Sequence, residues 1–258
     1  MLKRFIQSLI PSFILNKYKV NQYLKILRDF DVMDQPDLLV VERLVDENST
    51  FVDIGANIGL YTKYVSPLVK QVKSFEPVPF TFGMLSKNVT KFELENVALN
   101  QIAISSSDGE AVIDIPIQGG ARNYYRASLE LGVSDKLSEM KIKVPTKTID
   151  SLFVTQIEEI SFVKIDVEGH ELSVLNGASS FLESAHCAWL IEVDGNPDEE
   201  NSSAFEVFRK MEEAGFTGYF FDGKELQKRR KGNISVNYFF LKKRHLDTLS
   251  ASGIVISS

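Results

Sequence analysis

The chain is poor in the residues that would signal several common architectures. It has a single cysteine, Cys187, among 258 residues. No intramolecular disulfide can form, and this usage fits a reducing compartment such as the cytoplasm. Its three histidines, His170, His186 and His245, are scattered, so no histidine-rich metal motif exists. No apolar run approaches the roughly 20 residues that span a bilayer. Positive charge is in deficit, with a net charge of −6, which leaves no global basic field for nucleic acid. The basic run Lys228–Lys231 reads as a solvated turn. Residues 1–15 lack the marks of a signal peptide: Gln7, Ser8 and Pro11 interrupt the apolar core and no small-residue cleavage site follows. A helix packed on the domain is the first reading of that segment, and a helix touching a membrane surface is the second.

What the chain does have is 44% hydrophobic residues, enough for one sizeable α/β core. The stretch from Phe51 to Thr62 is an apolar strand, a glycine turn and a helix start. Such a turn presents backbone N–H groups and a helix N-terminus at the carboxyl end of a strand, where open α/β sheets bind ligands. The loop Gly55-Ala56-Asn57-Ile58-Gly59 fits the dinucleotide fingerprint poorly. An acid nevertheless closes the next apolar run, Glu76 in Val72–Pro77, and can accept both hydroxyls of a ribose. Asp53 at the first strand end suits a cationic ligand better than a pyrophosphate. Together these favour S-adenosylmethionine over a nicotinamide dinucleotide.

Further along, strands near Lys73–Glu76, Val97–Ser105, Ile160–Asp166 and Ala188–Asp194 alternate with helices near Leu60–Val69, Phe80–Phe92, Gly169–Glu183 and Ala204–Ala214. This is the rhythm of a doubly wound sheet. Strands at Gly218–Asp222 and Val236–Leu241 pair through the basic turn. Between about 110 and 146 the rhythm breaks. Ala111–Ile117 and Ile142–Thr146 alternate as exposed strands do, enclosing a long irregular segment. We read a β-hairpin-like insertion, with Arg122, Tyr124 and Tyr125 placed to meet a hydroxyl-rich or anionic substrate. Residues 1–49 form an N-terminal helical extension, 50–242 the main domain and 243–258 a loose, serine-rich tail.

The second diagnostic stretch is Lys164-Ile165-Asp166-Val167-Glu168-Gly169-His170-Glu171. If the extended backbone continues, Asp166, Glu168 and His170 face one side. Glu192 and Asp194 stand at the next strand end. Gathering several carboxylates requires compensation. Hydroxyl-rich ligand, raised pKa or a divalent cation on Asp166, Glu168 and Glu192 would each provide it. Lys164, in a buried strand, is suited to pair with a strand-end acid.

In order and spacing, VDIGANIGLYT, SFEPVP, KIDVEGHE and LIEVDGN resemble the FkbM-type S-adenosylmethionine-dependent methyltransferases over roughly residues 50–242. The resemblance implies a class I methyltransferase, Rossmann-like fold: a seven-stranded, mostly parallel sheet with one antiparallel strand and helices on both faces. It implies methyl transfer to a hydroxyl oxygen of a saccharide, glycolipid or other hydroxylated metabolite. Carried over by position, Asp53, Gly55, Ala56, Asn57, Gly59 and Tyr61 contact the cofactor's methionine part. Glu76 and Pro77 lie at its ribose, and Gln101, Ile102 and Ala103 near its adenine. Asp166 is the first choice of general base, followed by Glu168 and His170. Glu192 and Asp194 join the insertion in holding the acceptor. Two other classes stay in view: a nicotinamide-dependent oxidoreductase or epimerase, disfavoured by the missing third glycine, and a non-catalytic module of the same fold.

Overall fold

The computed structural model describes residues 24–115, 117–118, 121–122, 140–184 and 186–257. Its centre is a nine-stranded sheet. The strands are β1 (Thr50–Ile54), β2 (Gln71–Phe75), β3 (Val97–Asn100), β9 (Ile160–Ile165), β10 (Ala188–Glu192), β11 (Thr217–Phe221), β12 (Glu225–Lys228), β13 (Asn237–Leu241) and β14 (Val255–Ser257). Their order is β14-β12-β11-β13-β10-β9-β1-β2-β3. From β3 to β10 all neighbours are parallel. β13 runs antiparallel to both β10 and β11. The direction of strand order reverses between β1 and β9, which is where such sheets open a ligand crevice.

The seven-stranded expectation is met from β3 through β11 and exceeded by two strands. β12 forms a hairpin with β11, and β14 lies parallel to β12. The segment expected to be a loose tail therefore belongs to the fold. It is a helix, α8 (Lys243–Ala251), with Leu249 fully buried, followed by β14. β11 and β13 pair as expected, but β12 precedes the basic turn.

Helices cover both faces. On one side α4 (Ile149–Phe153), α5 (Glu171–Asn176), α6 (Ser179–Ser184) and α7 (Ser203–Glu213) bury Phe153, Leu175, Phe181 and Phe208 against Trp189 and Tyr238. On the other, α1 (Asp37–Val41), α2 (Leu60–Val65) and α8 bury Leu38, Val65 and Leu249 against Phe51, Phe162 and Phe239. Each fully buried side chain of this size contributes about 1.5–3 kcal/mol. Trp189 sits edge-on to Phe181 and Phe216 and belongs to the core. Local signals set the helix starts. Ser202 Oγ accepts from Phe205 N–H at 3.1 Å to cap α7, and Pro79 opens α3 (Pro79–Lys91) at a position that needs no N–H donor. The helix expected over Gly169–Glu183 is broken in two between α5 and α6.

The insertion is a separate three-stranded sheet of β4 (Ala103–Ile104), β8 (Met140–Lys147) and β5 (Gly109–Ile115). β5 and β8 pair antiparallel from Gly109–Thr146 to Ile115–Met140, the expected hairpin-like arrangement. β6 (Ile117–Gln118) and β7 (Ala121–Arg122) pair with each other as a separate two-stranded sheet, placing Arg122 on a short strand. Tyr124 and Tyr125 lie outside the described residues, as does the N-terminal segment 1–15. Among the described residues no helix is long and apolar enough to cross a membrane.

Candidate active site

The site is built at the carboxyl ends of β1, β2, β9 and β10. The β1 turn is tied to β2 because Gly55 and Ala56 N–H both donate to Phe75 O at 3.0 Å. On its other side Asp166 N–H donates to Ile54 O at 3.0 Å. Gly55 has φ +75°, and a Cβ there would stand 1.7 Å from Asp166 O. Only glycine lets the loops after β1 and β9 approach this closely. Asn57 holds a left-handed turn position at φ 51°, which asparagine tolerates better than most side chains. Gly59 instead serves packing: a Cβ there would meet Leu85 at 2.6 Å.

Two clefts flank this junction. The first spans about 610 Å³ of space, open solvent included, and is walled by Gly55, Asn57, Glu76, Asp166, Glu168 and His170, with Phe75, Val78, Ile102, Ile104 and Ile113 as apolar sides. The second, of about 730 Å³, is lined by Ala56, Tyr61, Lys164, Asp166 and Glu192, and by Gln35 and Asn237. Asn57 and Asp166 belong to both and form the partition. Among the described residues the Asn57 side-chain oxygen, which is buried, has no hydrogen-bond partner.

Glu76 is almost wholly buried in the first cleft, its carboxylate held by backbone donors. Asn57 N–H reaches Oε2 at 3.1 Å and Val78 N–H reaches Oε1 at 2.9 Å. Burial outweighs these bonds and raises its pKa to about 7. Pro77, Ile102 and Ala103 line the same cleft. Gln101 does not; it is exposed at the mouth of β4.

Asp53 corrects its expected role. It is fully buried and lines neither cleft. Register sets it beside Ser74 and Lys164. Its Oδ2 accepts from Thr62 Oγ1 at 2.6 Å, and Oδ1 lies 3.5 Å from Lys164 Nζ. Asp53 thus anchors α2 and a buried cation behind the turn. Lys164 binds three parts of the site: it donates to Gly55 O at 3.0 Å and pairs with Asp166 Oδ2 at 3.1 Å and with Asp53. Burial opposes its charge, but Asp166 and Asp53 outweigh burial and hold the ammonium above its ordinary range.

After β9 the extended backbone does not continue. Glu168 and Gly169 take φ 54° and 93°, so the expected strict alternation is lost. The turn nevertheless brings Asp166, Glu168 and His170 to one cleft. His170 is buried at the start of α5 with Nε2 2.9 Å from Ser105 Oγ. Glu171, readable from sequence as a solvated helix residue, is buried; its Oε1 accepts from Gly169 N–H at 2.9 Å, and burial raises its pKa to about 7. Glu192 faces the second cleft, where burial, then repulsion from Asp166 and Glu168, pushes its pKa to about 8. Asp194 is exposed and lines neither cleft. Among the described residues no group of three or more His, Cys, Asp or Glu is arranged to hold a metal ion, so Asp166, Glu168 and Glu192 do not assemble a cation site.

Sequence reasoning missed Gln35 and Asn237. Gln35 Nε2 donates to Tyr61 OH at 3.0 Å, and Asn237 Nδ2 to the buried Asp37 Oδ2 at 2.7 Å. Neither sits in a motif; the pairing of β13 with β10 sets Asn237 opposite Glu192, while Gln35 arrives just before α1 and is held at Tyr61.

The model of the methyltransferase FkbM domain matches residues 53–217. The hexuronic acid methyltransferase AglP of Haloferax volcanii is 29% identical over 185 residues, spanning 70% of this chain and 72% of that protein. Methyltransferase 1 of Beauveria bassiana is 26% identical over 153 residues; the match spans 51% of this chain and 59%, under two thirds, of that relative. Among solved structures, methyltransferase FkbM of Methylobacillus flagellatus superposes at TM-score 0.46 and 13% identity, over 75% of this chain and 44% of that one. A Streptococcus mutans methyltransferase in complex with SAH gives 0.46 and 13%, over 78% and 91%. The fold rests on the strand order above rather than on these superpositions. The matched stretch contains the β1 turn, Glu76, Asp166 and Glu192, and it sets aside the nicotinamide-dependent reading. With well over half of its residues matched by that model, the chain belongs to the FkbM methyltransferase family.

Proposed function

We propose that the protein is an S-adenosylmethionine-dependent O-methyltransferase acting on a hydroxyl of a saccharide, glycolipid or other hydroxylated metabolite. One observation carries this: Glu76 and Asp166 face a common cleft, and Asp166 also faces a second one. The first cleft fits the donor's chemistry. It offers a buried carboxyl for ribose hydroxyls, apolar walls for a base, and no lysine or arginine among its described lining residues for a phosphate. When bound, S-adenosylmethionine supplies a methyl group on a cationic sulfur. Glu76, Asn57 and Pro77, with Ile102 and Ala103, would hold it.

The chain's own residues do the rest. An aliphatic hydroxyl is a weak nucleophile, so its proton must leave as the new bond forms. Asp166 receives it. Lys164 orients that carboxylate and fastens it to the turn that shapes the donor cleft, so base and donor site are fixed to one another. Aligned proximity of this kind supplies several kcal/mol, up to roughly 7–11. His170 Nε2 is engaged by Ser105, which leaves Asp166 the better placed base. The name of the Haloferax relative supports a sugar as acceptor.

Calorimetric titration with S-adenosylmethionine and with NADH tests the donor. Binding of NADH alone would overturn the reading, and donor binding without transfer to any hydroxylated acceptor would leave a non-catalytic module. Asp166→Asn should keep donor affinity within a few-fold and lower turnover about 10²–10⁴-fold. Full turnover would remove Asp166 from the base role.

A further inference from the structure

The second cleft is walled partly by residues from outside the family-matched stretch. Gln35 arrives from the N-terminal extension and Asn237 from β13. Each is fixed by a hydrogen bond that leaves other amide groups to face the cleft, Gln35 through Tyr61 and Asn237 through Asp37. Between them stands Glu192, half-buried, with no hydrogen bond among the described residues. The ammonium of Lys164 is consumed by Asp53, Asp166 and Gly55 O. The described lining therefore holds three amides, Gln35, Asn57 and Asn237, and two acids, and its only cation is already neutralised.

From this juxtaposition we propose that the second cleft is the acceptor subsite, that it takes an uncharged hydroxylated ring, and that Gln35 and Asn237 with Glu192 determine which ring enters. The proposal rests on the donor occupying the first cleft. Amides and a carboxyl can donate to and accept from ring hydroxyls in turn. A carboxylated ring would bring a further negative charge beside Asp166, with no unpaired cation in the described lining to meet it. Burial and the repulsion that keeps Glu192 protonated near neutrality already show how little further negative charge this wall tolerates. Sites that hydrogen-bond a substrate hydroxyl reject analogues that leave those groups unpaired far more strongly than apolar pockets do. Because Gln35 and Asn237 lie outside the shared domain, members with the same donor site can differ in acceptor.

The test uses the full chain saturated with S-adenosylhomocysteine, with methyl β-D-glucopyranoside and its uronic acid counterpart as probes, read by saturation-transfer NMR at pH 7. The neutral glycoside should show at least fivefold more transfer than the uronide. Gln35→Ala and Asn237→Ala should each reduce its signal severalfold while S-adenosylhomocysteine affinity stays within twofold. Asn237→Ala strands the buried Asp37 and can fail to fold; Gln35→Ala and the isosteric Glu192→Gln keep the question open to measurement. Glu192→Gln should retain the neutral probe and lose any decline in its signal between pH 7 and 9. Equal or stronger transfer to the uronide overturns the proposal, as do amide variants that leave the neutral signal intact. A tenfold loss of S-adenosylhomocysteine affinity in Gln35→Ala would assign the cleft to the donor. Failure of the native protein to bind S-adenosylhomocysteine at all would instead fell the donor assignment, and the acceptor proposal with it.

Discussion

The two clefts are neighbours of similar polarity and different origin. Every lining residue of the first lies within the family-matched stretch. The second takes two of its lining residues, Gln35 and Asn237, from outside that stretch. The contrast teaches that the first cleft is encoded locally, at strand ends and the turns that follow them. The second cleft is assembled only by tertiary folding, from parts about 200 residues apart. The partition of Asn57 and Asp166, propped by Lys164, is where the two meet.

The most severe way to break the contrast is to merge the clefts. Gly55→Ala would place a methyl against Asp166 O at a backbone angle that alanine resists. We expect at least a hundredfold loss of S-adenosylhomocysteine affinity in calorimetry, with the folded near-ultraviolet dichroism perturbed as well. Next, Lys164→Met removes the prop and leaves Asp53 and Asp166 without their cation. Breaking a buried pair this way costs about 3–5 kcal/mol, and a denaturant melt should show it. A loss under 1 kcal/mol would mean that the ammonium is dispensable.

Smaller effects sharpen the comparison through pH. In the proposed donor site Glu76 acts as an acceptor, and burial raises its pKa to about 7. Affinity for S-adenosylhomocysteine should therefore rise about tenfold from pH 6 to pH 8, and Glu76→Gln should flatten that profile at a lower affinity. Stability moves the other way. Glu76, Glu171 and Glu192 have folded-state pKa values raised from 4.5 to about 7, 7 and 8. Each binds its proton more tightly when folded, so unfolding releases protons and stability falls as pH rises through that range. His245, lowered from 6.5 to about 4 by burial, acts oppositely, but only below about pH 6.5. Between pH 6.5 and 8 the melting temperature of the ligand-free protein should drop by a few degrees, and less in Glu192→Gln. A rise over that interval would contradict the burial assigned to these carboxyls.

Much of the first cleft was legible because its residues follow strands whose apolar runs are unmistakable. Glu76 and Asp166 were found that way. Asp53 was misjudged because β1 is buried on both faces, so alternation gives no hint of which side an acid takes; the deciding fact is its register with Lys164. The path of Glu168 was misjudged because two left-handed residues interrupt an apparently continuous strand. β12 and β14 went unread, being only four and three residues long and partly polar. Gln35 and Asn237 carried no local signal at all. Sheet pairing far along the chain places Asn237, and the bond to Tyr61 places Gln35.

β14 has a practical consequence. By lying along β12 it covers backbone groups that would otherwise form an open sheet margin, the kind of surface on which separate molecules stack into aggregates. Trimming the last seven residues to obtain a tidier protein for crystallisation would uncover that margin, so low solubility of such a truncation would reflect lost edge protection rather than a damaged catalytic centre.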